Sequence, residues 1–170
     1  MVMAGMLILG SALYIWSGSY NIAATDPHFE LVHRGLATIR DRSIAVRAGE
    51  TEVHRVESRP AMAGFRPYHG MCSACHSAPG LEESPIQQGL NPKPPLLDSE
   101  LVQRRSNEEL FWIVKYGIKM TGMPAFGPTH DDIELWQIVG FMRRLPHIKA
   151  EEYQTMLKTI GKAEPEDHGH

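Results

Sequence analysis

The stretch that decides the fold is Cys72-Ser73-Ala74-Cys75-His76, in which two cysteines stand three apart and a histidine follows directly. In a helical turn, residues three apart lie on one face, so both thiols can reach the same flat ligand. The C-x-x-C-H spacing is the attachment signature of a c-type haem, in which each thiol adds to one vinyl group. The sequence therefore predicts one haem c, bound covalently through Cys72 and Cys75, with the His76 imidazole as a ligand of its iron.

Other uses of these cysteines fit the sequence less well. A thioredoxin-like redox pair belongs to a strand–helix–strand setting, and no segment of this chain is predicted to be a strand. A zinc site lacks a convincing fourth ligand, because the chain has only two cysteines. The same cysteine count excludes a small fold stapled by several disulfides.

The second axial ligand of the iron is sought between Gly117 and Gly127, in the segment GIKMTGMPAFG. Its two methionines, Met120 and Met123, carry soft thioethers that suit a haem used for electron transfer. Pro124 biases Met123 towards an extended backbone, and glycines let a loop approach a flat ligand closely. The pattern favours Met123, whereas Met120 is expected to pack at the edge of the loop or over the haem. Four other histidines are expected at the surface: His130, His147, His168 and His170.

The N-terminal segment is free of charged residues, since the first one in the chain is Asp26. An apolar helix of roughly 20 residues can cross a bilayer, and Met1 to Ile22 is long enough. Tyr14, Trp16 and Tyr20 would supply an aromatic belt at its far end. A cleaved signal peptide and a buried core helix are the alternatives. The missing basic n-region disfavours the first, and the missing polar face disfavours the second. The expectation is an uncleaved transmembrane anchor.

The rest of the chain predicts an all-α fold. With 170 residues, 42% hydrophobic and 22% charged, a packed core is feasible, and a net charge of -3 argues against nucleic-acid binding. A capping box at Ser106 to Glu109 opens a helix that Gly117 ends, and Thr129 to Asp132 is expected to form a second cap. Further helices are expected over 27–47, 61–71, 131–144 and 149–160, with loops over 73–101 and 117–129.

These patterns divide the chain into four segments. They are a transmembrane anchor (1–25), a connecting helix and linker (26–60), the haem domain (61–147), and a C-terminal helix and tail (148–170). The connecting helix is expected to lie along a membrane surface, to pack on a partner subunit, or to be a solvated connector.

From 61 to 146 the chain resembles a membrane-anchored class I c-type cytochrome of the monohaem family. The resemblance rests on the Cys72–His76 motif, on Met123-Pro124-Ala125-Phe126 after Gly117-Ile118, and on the terminal helices. In that family a glycine and an aromatic residue of the first helix cross an aliphatic and an aromatic residue of the last. The matching positions here are Gly64, Tyr68, Ile138 and Phe141.

The resemblance implies an all-α cytochrome c-like haem domain with an N-terminal transmembrane helix. It implies His76 as the proximal ligand, Met123 as the distal ligand, and a carbonyl within 91–95 that accepts a hydrogen bond from the His76 ring. It places the haem domain on the periplasmic, or exoplasmic, side of the membrane. The implied function is one-electron transfer, not catalysis, as a membrane-anchored carrier or as the haem subunit of a larger complex. A quinol oxidoreductase, a terminal oxidase or another membrane redox complex is the expected partner. The alternative is an open-site haem protein that binds peroxide or a gaseous ligand.

Overall fold

A computed structural model describes residues 2–50 and 61–163, and within these residues the chain is helical with no strand. Nine α-helices occur in this part of the chain: α1 (Val2–Trp16), α2 (Glu30–Ala48), α3 (Phe65–Met71), α4 (Ser73–His76), α5 (Pro85–Gly89), α6 (Glu100–Gln103), α7 (Asn107–Tyr116), α8 (Asp132–Met142) and α9 (Ala150–Ala163). Two short 3₁₀ helices, Ala61–Gly64 and Leu145–His147, precede α3 and follow α8. The all-α prediction is confirmed for the described residues.

The N-terminal helix α1 carries no charged side chain and buries none of its residues against the rest of the protein. It has 15 residues, fewer than the predicted span. No helix in the described part of the chain is both long and apolar enough to cross a membrane. The transmembrane segment expected over 1–25 is therefore not confirmed and stays a prediction.

The core forms where the segment around α3 crosses α8. Gly64 lies directly against the α8 backbone, since a Cβ built on it would stand 2.0 Å from the Gln137 carbonyl oxygen. The Phe141 ring packs on Phe65 and Tyr68, with centroid distances of 5.4 and 5.1 Å. The crossing of the terminal helices that the resemblance implied is thus confirmed at Gly64, Tyr68 and Phe141, and Ile138 is fully buried in the same core.

Local capping fixes where α7 and α8 begin. Ser106 and Glu109 form the predicted capping box, and Asp131 and Glu134 form a second. The second cap, predicted over Thr129 to Asp132, lies two residues further along the chain: the capping residue is Asp131, whose carboxylate accepts from the Glu134 N–H at 2.8 Å. At the end of α8, Arg143 donates hydrogen bonds to acceptors on 103–107: the Gln103 carbonyl and side chain, the Arg105 carbonyl and the Asn107 side chain.

The predicted loop over 73–101 contains three short helices, α4, α5 and α6. The prediction of a continuous loop was wrong, because helices of four or five residues are too short to show a hydrophobic period. One of them is fixed by a cap, in which Ser84 Oγ accepts from the Gln87 N–H at 3.1 Å.

The segments on either side of the haem domain pack onto it. On α2, Ile44 and Ala48 are buried, and this helix lies beside α7. On α9, Tyr153 and Met156 join the main core. The helix predicted over 27–47 is observed as Glu30–Ala48, and the one predicted over 149–160 as Ala150–Ala163. The linker expected before Pro60 lies outside the described residues.

Candidate haem site

A mostly apolar cavity of about 270 Å³ opens between α4, the proline-rich segment 92–95, α7 and the loop after it. Its lining includes the four residues that the sequence analysis assigned to the haem: Cys72, Cys75, His76 and Met123. The structure therefore brings together side chains that lie up to 51 positions apart in the chain.

Helical hydrogen bonds position the two cysteines. The Cys72 N–H donates to the Tyr68 carbonyl at 2.8 Å, and the His76 N–H donates to the Cys72 carbonyl at 2.9 Å. Cys72 is buried and Cys75 half-buried. Burial, followed by the neighbouring Cys75, raises the pKa of the Cys72 thiol to about 12. The attacking cysteine of a redox-active dithiol has a lowered pKa, so the buried Cys72 does not suit that role.

The His76 ring is oriented by the backbone of Pro95. Its Nδ1 lies 2.7 Å from the Pro95 carbonyl oxygen, and because a carbonyl only accepts, Nδ1 must carry the proton. Nε2 is then the unprotonated nitrogen, as a metal ligand requires. Burial lowers the pKa of His76 and outweighs the opposing effect of this bond, so the imidazole is neutral at pH 7. The carbonyl expected within 91–95 is thus that of Pro95.

The backbone immediately after His76 is held in an unfavourable conformation. Ser77 has φ 58° and ψ -168°, a region that residues other than glycine rarely adopt. Its carbonyl accepts from the Tyr68 hydroxyl at 3.0 Å, and its own hydroxyl donates to the Leu81 carbonyl at 2.9 Å. Burial raises the pKa of Tyr68, so its hydroxyl stays protonated and donates. The helix crossing in the core therefore also fixes the exit of the chain from the haem motif.

The loop after α7 distinguishes the two candidate methionines. Met123 lines the cavity and packs against the core, whereas Met120 is 84% exposed and does not line it. The Met123 carbonyl accepts from the Ile118 N–H at 3.1 Å, and its N–H donates to Thr121 Oγ1 at 3.1 Å. Gly117 has φ 67°, and a Cβ there would lie 2.7 Å from the Pro124 carbonyl carbon. This glycine lets the loop lie against the end of α7.

The histidines expected at the surface lie away from the cavity where the structure describes them. His130 packs edge-on against Phe126 and contacts the Thr129 hydroxyl, and His147 is exposed. His168 and His170 lie outside the described residues. His69, which the sequence analysis did not assign, has its Nδ1 3.0 Å from the buried Tyr153 hydroxyl.

Sequence reasoning missed the charged residues of the cavity. Arg40, Lys93 and Arg105 line it alongside the haem-binding residues. Arg40 belongs to the helix that was interpreted as a connector. A signal was available, because Arg40, Ile44 and Ala48 recur every four residues and share one face of α2.

The residues of the cavity fit a haem c. They provide an apolar enclosure, two thiols in the attachment spacing, and an oriented neutral imidazole facing a thioether loop. Residues 59–142 match the family model described as cytochrome c oxidase, cbb3-type, subunit III. No curated protein matches the chain. The motif, the helical fold and the family match together make residues 59–142 a monohaem c-type cytochrome domain, a kind of module that in general transfers electrons, with haem c bound covalently through Cys72 and Cys75 as its cofactor.

Proposed function

We propose that this protein transfers single electrons through a haem c whose iron is ligated by His76 and Met123. The observation that carries the proposal is that both side chains line one apolar cavity, with the His76 tautomer set by the Pro95 carbonyl. Haem c supplies an iron that cycles between the ferric and ferrous forms.

The residues of the site give this role a physical basis. The thioether of Met123 is a soft ligand that favours the ferrous iron and so raises the reduction potential. The bond from His76 Nδ1 to the Pro95 carbonyl would hold the imidazole in one orientation towards a bound iron. A site with both axial positions filled by protein side chains has no place for a substrate, which suits electron relay over catalysis.

The axial ligand is tested by replacing each loop methionine separately in the full-length holoprotein. Met123→Ala should abolish the far-red sulfur-to-iron absorption of the oxidised protein, lower its potential and allow carbon monoxide to bind the reduced form. Met120→Ala is the matched control, because Met120 lies on the same loop but is exposed, and it should leave all three properties unchanged. Carbon monoxide binding by the unmodified protein, or an exchange of the two outcomes, would contradict the assignment and favour the open-site alternative.

We also propose that the protein is anchored to a membrane through the segment 1–25, with its haem domain on the periplasmic side. Supporting this, α1 carries no charge and exposes its apolar side chains, with Leu7, Ile8, Ile15 and Trp16 each more than half exposed. The test is an alkaline carbonate wash of native membranes. The anchored protein should stay in the pellet, and its haem domain should be digested by protease added to spheroplasts. Release by the wash, with a mature N-terminus near Tyr20, would contradict the proposal.

The partner is proposed to be a membrane redox complex. Support comes from the family match, whose description is that of an oxidase subunit. The protein would act as the haem subunit of such a complex or as an anchored carrier beside it. Mild solubilisation followed by identification of the co-purifying proteins tests this, and a quinol oxidoreductase or terminal oxidase is expected among them. Isolation as a single chain that no quinol-dependent membrane activity reduces would count against it.

A further inference from the structure

The charges on the haem cavity are all of one sign. Among the described residues that line it, Arg40, Lys93 and Arg105 are cationic and none is acidic. Lys93 is exposed and paired with Glu83 at 2.6 Å, so its charge is offset locally. The two arginines remain, one from α2 and one from the segment between α6 and α7.

The two arginines form a single network through Asp41. Arg40 donates to both carboxylate oxygens of Asp41, at 2.9 and 3.1 Å, and Arg105 donates to the same carboxylate at 2.7 Å. Partial burial acts to raise the pKa of Asp41, but the bonds from the arginines outweigh it and the pKa is lowered. These bonds use two of the five N–H donors on Arg40 and one of the five on Arg105, whose Nη1 also lies 3.9 Å from the Glu109 carboxylate. Each guanidinium therefore retains donors for a further anion.

Contacts at both ends of α2 fix Arg40 in place. Near its C-terminal end, Ile44 and Ala48 are 1% and 3% exposed. Before its N-terminal end, the Ala24 carbonyl accepts from the Asn91 side chain at 3.0 Å, next to the proline segment that orients His76. On the opposite side of the network, the Arg105 carbonyl accepts from Arg143, the residue that follows α8. The cluster is thus held rigidly at the wall of the cavity.

We infer that Arg40 and Arg105 bind the carboxylates of the haem propionates, and that α2 is consequently a wall of the haem site and not a connector. The propionates are the only anionic substituents of the haem, and guanidinium groups match carboxylates in bidentate geometry. By bonding to both, Asp41 holds the two guanidinium groups side by side. The inference deepens the proposed function and rests on its haem, but it does not depend on which methionine ligates the iron.

The sign of the effect on the haem follows from charge. Reduction adds an electron, so a nearby cation stabilises the ferrous form and raises the reduction potential, whereas a nearby anion lowers it. By Coulomb's law, a unit charge roughly 10 Å from a redox centre changes its reduction equilibrium about twofold at an effective dielectric constant of ~80 and about sixteenfold at ~20. A tenfold change is about 59 mV for a one-electron couple.

The experiment measures the midpoint potential of full-length holoprotein variants with haem content and far-red absorption recorded for each. Arg40→Gln should lower the reduction equilibrium constant about two- to sixteenfold, and Arg40→Lys, which keeps the charge, should restore most of it. Arg42→Gln is the matched control, since Arg42 is exposed on the same helix and does not line the cavity. It should change the constant by less than half as much.

Asp41→Asn separates an electrostatic role from a structural one. Removal of its negative charge should raise the potential if the cluster acts by charge, but loosening of α2 would admit water and lower it. The inference is overturned if the midpoint potential of Asp41→Asn falls, or if Arg40→Gln and Arg42→Gln change the potential equally. If the Arg40→Gln variant accumulates without haem, the midpoint potential of Asp41→Asn still tests the inference, because a rise supports it and a fall overturns it. If the unmodified protein shows no far-red absorption, ligation by Met123 is refuted and this inference is unaffected.

Discussion

The substitution Gly64→Ala tests the crossing of the terminal helices on which the site is built. The added methyl would lie 2.0 Å from the Gln137 carbonyl oxygen, 2.5 Å from its carbonyl carbon and 2.9 Å from Phe141 Cβ. The first two are backbone atoms in the middle of α8, so no side-chain rotation can relieve the clash.

The cost can be estimated from this geometry. A normal carbon–oxygen contact is roughly 3.3 Å, so the two segments must separate by about 1 Å. That gap would loosen the packing among Phe65, Tyr68 and Phe141, which are at most 3% exposed. Overpacking costs about 1–3 kcal/mol, and the lost contacts place the expected destabilisation at the upper end, about 3 kcal/mol. This is a large share of the ~5–15 kcal/mol by which a typical domain is stable.

Gly70→Ala is the matched control, because Gly70 lies on the neighbouring helix α3 and a Cβ there meets nothing within 4 Å. It should leave stability unchanged or raise it by up to about 1 kcal/mol, since alanine favours helix over glycine. The assay is urea unfolding of the detergent-solubilised holoproteins, followed by far-ultraviolet circular dichroism. Equal unfolding midpoints for Gly64→Ala and Gly70→Ala would refute the reasoning about the crossing.

Three further substitutions probe the supports of the site. Gly117→Ala should destabilise the protein by about 1–3 kcal/mol and weaken the far-red absorption. The added methyl group would push away the backbone at Met123 and at the residues that follow it. Unchanged absorption would contradict this. Tyr68→Phe should lower the free energy of unfolding by about 1–2 kcal/mol, measured by urea unfolding, because the buried Ser77 carbonyl loses its donor. Arg143→Leu should cost about 2–4 kcal/mol in the same assay by leaving several acceptors on 103–107 without their donor; a loss below about 0.5 kcal/mol would show that water replaces it.

The parts of the fold that the sequence predicts are those whose interactions join residues close together in the chain. The capping box at Ser106 and the stop at Gly117 are encoded within a few residues, and both were predicted correctly. The short helices α4, α5 and α6 were missed because one turn of helix carries no period and is held by its surroundings. The second cap was predicted two residues too early, over Thr129 to Asp132, because Thr129 and Asp131 are both residue types that can cap a helix and the structure uses Asp131.

The same distinction separates the parts of the site. Cys72, Cys75 and His76 follow from spacing alone, and the Met123–Pro124 pair stands out in its glycine-flanked loop. From the sequence, the carbonyl that accepts from the His76 ring could be placed only somewhere within 91–95. Every peptide unit carries an acceptor, and side-chain identity does not show that Pro95 supplies the one used. For Arg40 the sequence marks only the face of α2 that it shares with Ile44 and Ala48, because its place on the cavity depends on the packing of α2 beside α7.

The proposed haem site draws on residues from inside and outside the region that the family model covers. The two cysteines and the proposed ligands of the iron all lie within 59–142, the part of the chain that the family model covers. Arg40 and Asp41 lie before that region, yet they stand with Arg105 at the cavity. If the two arginines bind the propionates, the potential set by Met123 and Arg105 is tuned further by a segment outside the matched region. A change in α2 that keeps Ile44 and Ala48 but alters the charge at 40 or 41 would preserve the fold while changing the driving force for electron transfer.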